Sequence, residues 1–164
     1  VNTNVGISRI SLRGDAVVLV DDDDWFLALE HDWFRDENGY AAMIREGHIE
    51  RMHRIIVDAQ PGELVDHING DRLDNRRANL RVCSNRENQR NRPKPKTTAK
   101  VASRFKGVSW DKCNRTWRAK IVVDGRQVHL GTFADETEAA AAYDQAARIH
   151  FGEFARTNSD KKQK

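Results

Sequence analysis

No stretch of this 164-residue chain approaches the roughly 20 consecutive apolar residues that a membrane-spanning helix needs. No basic-then-apolar signal segment opens it, so the expectation is a protein with no membrane partner that stays in the cytoplasmic compartment where it is made. Cysteine is scarce. Cys83 and Cys113 lie far apart with no C-x-x-C partner, which argues against a cysteine zinc site and against a disulfide framework. Of the three prolines, two fall within one short segment, at Pro93 and Pro95. Nothing calls for a nucleotide cofactor. The length suits one ordinary domain or two small ones.

What the chain has is charge, unevenly placed. The net charge of +3 conceals an acidic first part and a basic remainder. Residues 1–64 hold 6 Lys and Arg against 13 Asp and Glu, net −7, whereas residues 65–164 hold 22 against 12, net +10. Arg72, Arg76, Arg77, Arg81, Arg86, Arg90 and Arg92 crowd one stretch at the start of the basic part. Such a surface suits phosphates, whose counterions it would release.

That stretch reads ELVDHINGDRLDNRRANLRVCSNRENQRNR from Glu63 to Arg92. Leu64–Asp66 is a short apolar run that delivers Asp66 and His67 to a loop, in which Asn69, Gly70, Asp71, Asp74 and Asn75 are strong turn formers. Leu80–Cys83 is a second strand. Ser84 followed by Glu87 is a capping box that starts a helix, with Asn88 about one turn in. A hairpin packed on a helix can gather Asp66, His67, Asn79 and Asn88 into one pocket. The chemistry that fits is metal-assisted phosphodiester hydrolysis. Asp66 and Asn88 are hard oxygen donors for one divalent cation, Mg²⁺ or Mn²⁺. His67 is a base near neutrality, and Asn79 holds the loop and orients the His67 ring.

At these residues, over roughly Met52–Arg92, the chain resembles the HNH nucleases of the ββα-metal group, within them the phage and intron-type homing endonucleases. The matching elements are His53-Arg54, VDHINGD, LDNRRANLR and NRENQRN, in that order. The resemblance implies Asp66 as a metal ligand, His67 as general base, Asn79 as the central asparagine of the motif and Asn88 as second ligand, with Asn85 and Asn91 close by. His53 is either a helix-face packing residue or a secondary phosphate contact.

The first 63 residues read as a supporting layer. Ala16–Val20 and Tyr40–Ile44 are candidate strands, and Ile49–Ala59 a short helix. Trp25, Phe26, Leu27, Leu29, Trp33 and Phe34 are candidate core. The run Asp21–Asp24 reads as a solvated turn in preference to a second metal site.

Residues 93–103 form a basic, proline-containing linker. Beyond it, Lys106–Trp110 is a strand, and Thr116–Val123 alternates, with Trp117, Ala119, Ile121 and Val123 on one face and Arg118, Lys120 and Val122 on the other. Asp124-Gly125 is a hairpin turn, and Arg126–Phe133 returns with Gln127 and His129 outward. Asp135 and Glu138 cap a helix that runs to about Phe151 and is closed by Gly152, presenting Ala139, Ala142, Tyr143, Ala146 and Ile149 to the sheet. The other sheet face stays free, and a three-stranded sheet can enter the major groove. FKGVSW, TWRAKI, VHLGTF and EAAAAYDQAARIHFGEFARTN, within Ser103–Asn158, resemble the plant Apetala-two/ethylene-response-factor DNA-binding domain. The resemblance implies contacts at Lys106, Ser109, Lys120, Val122, Gln127 and His129, though Ser109 and Val122 replace residues usually basic in plants.

The expected protein is α+β: a ββα-metal HNH module over residues 1–92, then the linker, a three-stranded antiparallel sheet packed on one helix over 104–158, and a basic tail over 159–164. The expected function is a metal-dependent endonuclease acting on double-stranded DNA, of phage or mobile-element homing type, with sequence-directed binding. A monomer would nick and a homodimer could cut both strands. Two other readings are a non-catalytic DNA-binding transcriptional regulator and a structure-selective nuclease.

Overall fold

The computed structural model of the chain describes residues 6–91 and 103–162, and the chain divides into two compact units, Val1–Asn88 and Gln89–Lys164. Residues 93–102 of the expected linker lie outside the described residues.

The first unit begins with a hairpin of β1 (Ile7–Ser11) and β2 (Val17–Asp21). Alternation along β2 buries Val18 and Val20, and β1 contributes Ile10. A short helix α1 (Leu27–Glu30) follows, then a three-stranded antiparallel sheet of β3 (Phe34–Arg35), β4 (Ala41–Arg45) and β5 (His48–Arg51), and helix α2 (Met52–Ile56). The core is built from Val18, Val20, Trp33, Met43, Met52 and Leu80 with other aliphatic neighbours. Trp33 can be buried because its indole N–H donates to the Leu27 carbonyl at 2.8 Å. The site hairpin comes next, β6 (Leu64–His67) paired antiparallel with β7 (Leu80–Cys83), followed by helix α3 (Asn85–Asn91). The capping box forms as expected: Glu87 N–H donates to Ser84 Oγ, and Glu87 Oε2 accepts from Ser84 N–H at 2.8 Å.

Three expectations change here. Helix over Ile49–Ala59 is confined to Met52–Ile56, because Ile49–Arg51 pairs with β4 across a hairpin that sets Ile49 opposite Ile44. Trp25, Phe26 and Leu29 are exposed instead of in the core, since the tight turn into α1 turns Leu27 inward in their place. The aspartate run is a 3-10 turn over Asp22–Asp24 in which Asp24 is buried against the Arg77 guanidinium, at 2.6 Å.

The second unit is the expected sheet, β8 (Val108–Asp111), β9 (Thr116–Val123) and β10 (Arg126–Phe133) in the order β10-β9-β8, all antiparallel, with α4 (Glu136–Phe151) on one face. Asp124 and Gly125 both take positive φ, as a tight two-residue hairpin turn requires. Asp135 caps α4 by accepting from Thr137 N–H at 2.6 Å and Glu138 N–H at 3.2 Å. Alanines let the helix lie close: Ala139, Ala140, Ala147 and Tyr143 pack toward Val108, Ala119 and Ile121. Ile149, expected on this face, is exposed, and Phe151 takes the buried place. After α4 the chain is tied back by Asn158, whose N–H donates to buried Asp144 at 2.6 Å and whose Oδ1 accepts from Lys106 N–H at 2.6 Å.

The strand expected from Lys106 starts at Val108, because Gly107 sits at φ +75 beneath the helix. A Cβ there would stand 1.9 Å from the Tyr143 ring and 2.7 Å from the Lys120 carbonyl oxygen. Gly107→Ala is therefore expected to destabilise this unit by about 2–4 kcal/mol, from strained backbone and overpacking together. Urea denaturation checks this, and an unchanged midpoint would contradict it.

Candidate active site

The β6–β7 hairpin sets Asp66 opposite Arg81 and His67 opposite Leu80, and the chain between the strands, residues 68–79, forms the loop around the site. The backbone polar groups of so long a connection need partners, and Asn79 supplies two of them. Its Oδ1 accepts from Asn69 N–H at 3.0 Å, and its Nδ2 donates to the Asp74 carbonyl at 2.7 Å. Its own carbonyl accepts from Ile68 N–H at 2.9 Å. Asn69 and Asp71 form successive local turns, accepting from Asp71 N–H at 2.8 Å and Leu73 N–H at 3.0 Å. From the other side β2 grips the loop: Leu19 N–H donates to the Leu73 carbonyl and the Leu19 carbonyl accepts from Asn75 N–H, each at 2.8 Å.

His67 is 4% exposed, and its Nε2 lies 2.8 Å from Asn75 Oδ1. Its ring meets His53 edge-on, with centroids 5.0 Å apart, and Tyr40 at 5.8 Å. Tyr40 in turn packs on His53 and carries the guanidiniums of Arg51 and Arg72 over its ring at 4.8 and 4.7 Å. Burial pulls the His67 pKa below the ordinary imidazole value, opposed by the Asn75 hydrogen bond and by Asp66, Asp71 and Asp74. His67 is therefore neutral at neutral pH, the state from which it can accept a proton. Burial, helped by His67, Arg51 and Arg54, takes His53 down to about 3. Of the two roles open to His53, the structure shows packing, with its Nδ1 lacking a hydrogen-bond partner among the described residues.

Asp66 is buried and its Oδ2 accepts from Arg81 Nη2 at 2.8 Å. Asn88 is half-buried one turn into α3, and its side chain makes no hydrogen bond among the described residues. Among the described residues, no group of three His, Cys, Asp or Glu side chains is placed to hold a metal ion. One carboxylate and one amide oxygen nevertheless fit a hard cation that keeps most of its coordination for water and phosphate.

In the second unit, the sheet face away from α4 forms a groove of about 400 Å³ lined by Ser109, Asn114, Arg118, Lys120, Gln127, His129 and Thr132. Asp111 pairs with Arg118 and accepts from Asn114 Nδ2 at 2.6 Å, and these bonds hold its carboxyl below the usual carboxylate range.

The family model described as HNH endonuclease matches residues 50–90, and that of the AP2 domain matches residues 103–149. The chain belongs to the HNH endonuclease family and carries an AP2 DNA-binding domain. An uncharacterized HNH endonuclease of Acanthamoeba polyphaga mimivirus is 28% identical over 83% of this chain and 71% of its own length. Protein 3.8 of Escherichia phage T7 is 35% identical over 58% of this chain and 75% of its own. APETALA2-like protein 2 of Oryza sativa is 42% identical over 37% of this chain and 14% of its own length. HNH family membership points to nuclease activity.

In this HNH protein the residues expected at the site divide. Asp66, His67 and Asn79 come together on the hairpin and its loop, but the ring of His67 is held by Asn75 and not by Asn79, which braces the loop instead. In the sequence Asn75 reads as one more turn residue, with nothing to mark it apart from Asn69. His53 and Tyr40 reach the ring from α2 and from the chain before β4, contacts that sequence distance hides.

The expected DNA contacts divide as well. Ser109, Arg118, Lys120, Gln127 and His129 share the AP2 groove, Val122 is exposed on β9, and Arg86 is exposed on α3. Arg92 lies outside the described residues, and the other described motif arginines have internal partners: Arg76 pairs with Asp74, Arg77 with Asp24, Arg81 with Asp66, and Arg72 donates to the Asn38 carbonyl. Arg90 lies over the Phe151 ring, and Lys106 Nζ donates to the Arg90 carbonyl at 2.6 Å. Thr132 joins the groove because the β9–β10 register shifts between His129 and Gly131, which Gly131 within the strand could have signalled.

The low pKa of His53 makes stability depend on pH. Between about 3 and 6.5 the unfolded state binds the proton that the folded state refuses, so stability rises with pH across that window and is flat above it. From pH 6.5 to 5 the loss is of order 2 kcal/mol. The urea midpoint is expected to fall over that range, and to fall less in His53→Phe. Equal slopes for the two proteins would contradict the assignment.

Proposed function

We propose that this chain is a metal-dependent DNA endonuclease of phage or mobile-element type, in which His67 is the general base and the AP2 sheet binds the duplex. The observation that carries this reading is a buried, neutral His67, held by Asn75 next to Asp66, in a loop braced by Asn79. Asp66 and Asn88 would hold one divalent cation, Mg²⁺ or Mn²⁺, which when bound neutralises charge on the phosphate and on the leaving oxygen. His67 takes the proton of the attacking water. Arg81 orients Asp66 through its 2.8 Å ion pair. Lys120 and Arg118 meet phosphates, while Gln127 and His129 offer hydrogen-bonding groups to base edges in the major groove. One such site makes one cut, so a monomer nicks and a homodimer breaks both strands.

Supercoiled plasmid provides the test. With Mg²⁺ or Mn²⁺ the protein is expected to give nicked or linear product, and none with chelator. His67→Ala should lower cleavage by about 10²–10⁴-fold while leaving gel-shift affinity within a factor of two or three. Lys120→Ala should weaken binding and reduce the slope of log affinity against log salt by about one. Binding without metal-dependent cleavage on any plasmid or selected target site would favour a regulator that keeps the HNH fold, and equal loss of binding and cleavage in His67→Ala would contradict its role as base.

A further inference from the structure

Asn75 is fully buried, at 0% exposure, in the middle of the loop that carries the site. A buried amide ordinarily has both polar ends engaged. Here the backbone N–H donates to the Leu19 carbonyl and Oδ1 faces His67 Nε2 at 2.8 Å, while Nδ2 has no hydrogen-bond partner among the described residues. An unmade bond of that kind costs about 1–3 kcal/mol, so loop closure alone does not account for an asparagine at this position. A leucine, with the same branched skeleton, would carry no such penalty. The one thing the amide supplies that a leucine could not is an acceptor aimed at the ring.

An acceptor at Nε2 requires that nitrogen to carry the proton, which puts the lone pair of the neutral ring on Nδ1. We infer that Asn75 is the positioning residue of the general base: its Oδ1 holds His67 as the Nε2–H tautomer and thereby makes Nδ1 the atom that takes the proton from water. This rests on the reading of His67 as the base. His53 and Tyr40, packed against the ring at 5.0 and 5.8 Å, oppose its turning over. In the step itself a water O–H bond breaks and an Nδ1–H bond forms. The water oxygen bonds to phosphorus as the bond from phosphorus to the leaving sugar oxygen breaks, and that oxygen takes a proton from solvent. The ring becomes an imidazolium, and its Nε2–H bond to Asn75 becomes charge-assisted and stronger. An amide fits this position better than a carboxylate, because it selects the tautomer without adding a charge that would hold the proton on the ring in the ground state.

Long-range proton–nitrogen correlation spectra of the whole chain with ¹⁵N-labelled histidine read which ring nitrogen bears the proton, with His67→Ala assigning the signal. At pH 8 the wild-type protein is expected to show Nε2–H at His67. Asn75→Leu should give a tautomer mixture and a single-turnover cleavage rate lower by about 10- to 100-fold, with DNA affinity unchanged. Asn75→Asp, which keeps an acceptor, should retain the Nε2–H tautomer and cleave faster than Asn75→Leu. A proton on Nδ1 in the wild-type protein, with the amide turned so that Nδ2 donates, would overturn the inference without recourse to any variant. So would an Asn75→Leu protein with unchanged tautomer and rate. The expected tautomers with no cleavage by wild type would leave Asn75 as the holder of the ring and overturn the hydrolytic reading instead.

Discussion

Two hydrogen bonds from one amide hold the loop in which the site is built. Residues 68–79 leave β6 immediately after His67 and carry little apolar surface of their own, so burial alone cannot hold them in one shape. Asn79 ties the start of the loop to its middle, through Asn69 N–H and the Asp74 carbonyl, and the backbone of Leu19 in β2 grips Leu73 and Asn75 from the other side. With both in place, Asn75 has a fixed backbone from which to reach His67. Without them, the buried ring would keep its walls in His53 and Tyr40 but lose the acceptor that orients it. The N-terminal hairpin is therefore more than a platform: its second strand is part of what holds the site.

Charge is handled in a similar, local way. The arginine-rich motif reads as a phosphate-binding surface, yet several of its guanidiniums are matched to buried carboxylates, Asp24, Asp66 and Asp74. These pairs stabilise acidic groups that would otherwise crowd the loop and repel a phosphate. The acidic first part and the basic motif that follows it are thus partly one neutralised cluster. On the AP2 sheet, by contrast, Lys120, Gln127 and His129 stand on an open face, where a polyanion can reach them.

Much of this was legible in the sequence where the signal is local. The capping box of Ser84 and Glu87, the Asp124-Gly125 turn, the alternation of Thr116–Val123 and the cap at Asp135 each depend on residues within a few positions, and each stands as read. The order Asp66-His67, Asn79, Asn88 was legible as a motif because family spacing carries it. What escaped notice depends on contacts between distant parts. The pairing of Arg77 with Asp24, the grip of Leu19 on the loop and the approach of Tyr40 to His67 leave no periodicity to detect. Asn75 escaped for a different reason: asparagine is the ordinary residue of a turn, and only its burial and the direction of its Oδ1 give it a second meaning.

The central claim is that the brace across the loop, and not the mere presence of a histidine, makes the site competent. The most direct measurement is the single-turnover cleavage rate of Asn79→Ala at saturating protein, compared with wild type on the same DNA. The account predicts a rate lower by about 10- to 100-fold with DNA affinity unchanged, because under the proposed function the AP2 sheet holds the duplex. An unchanged rate would contradict it, since His67 would then be held in place without the loop that Asn79 closes.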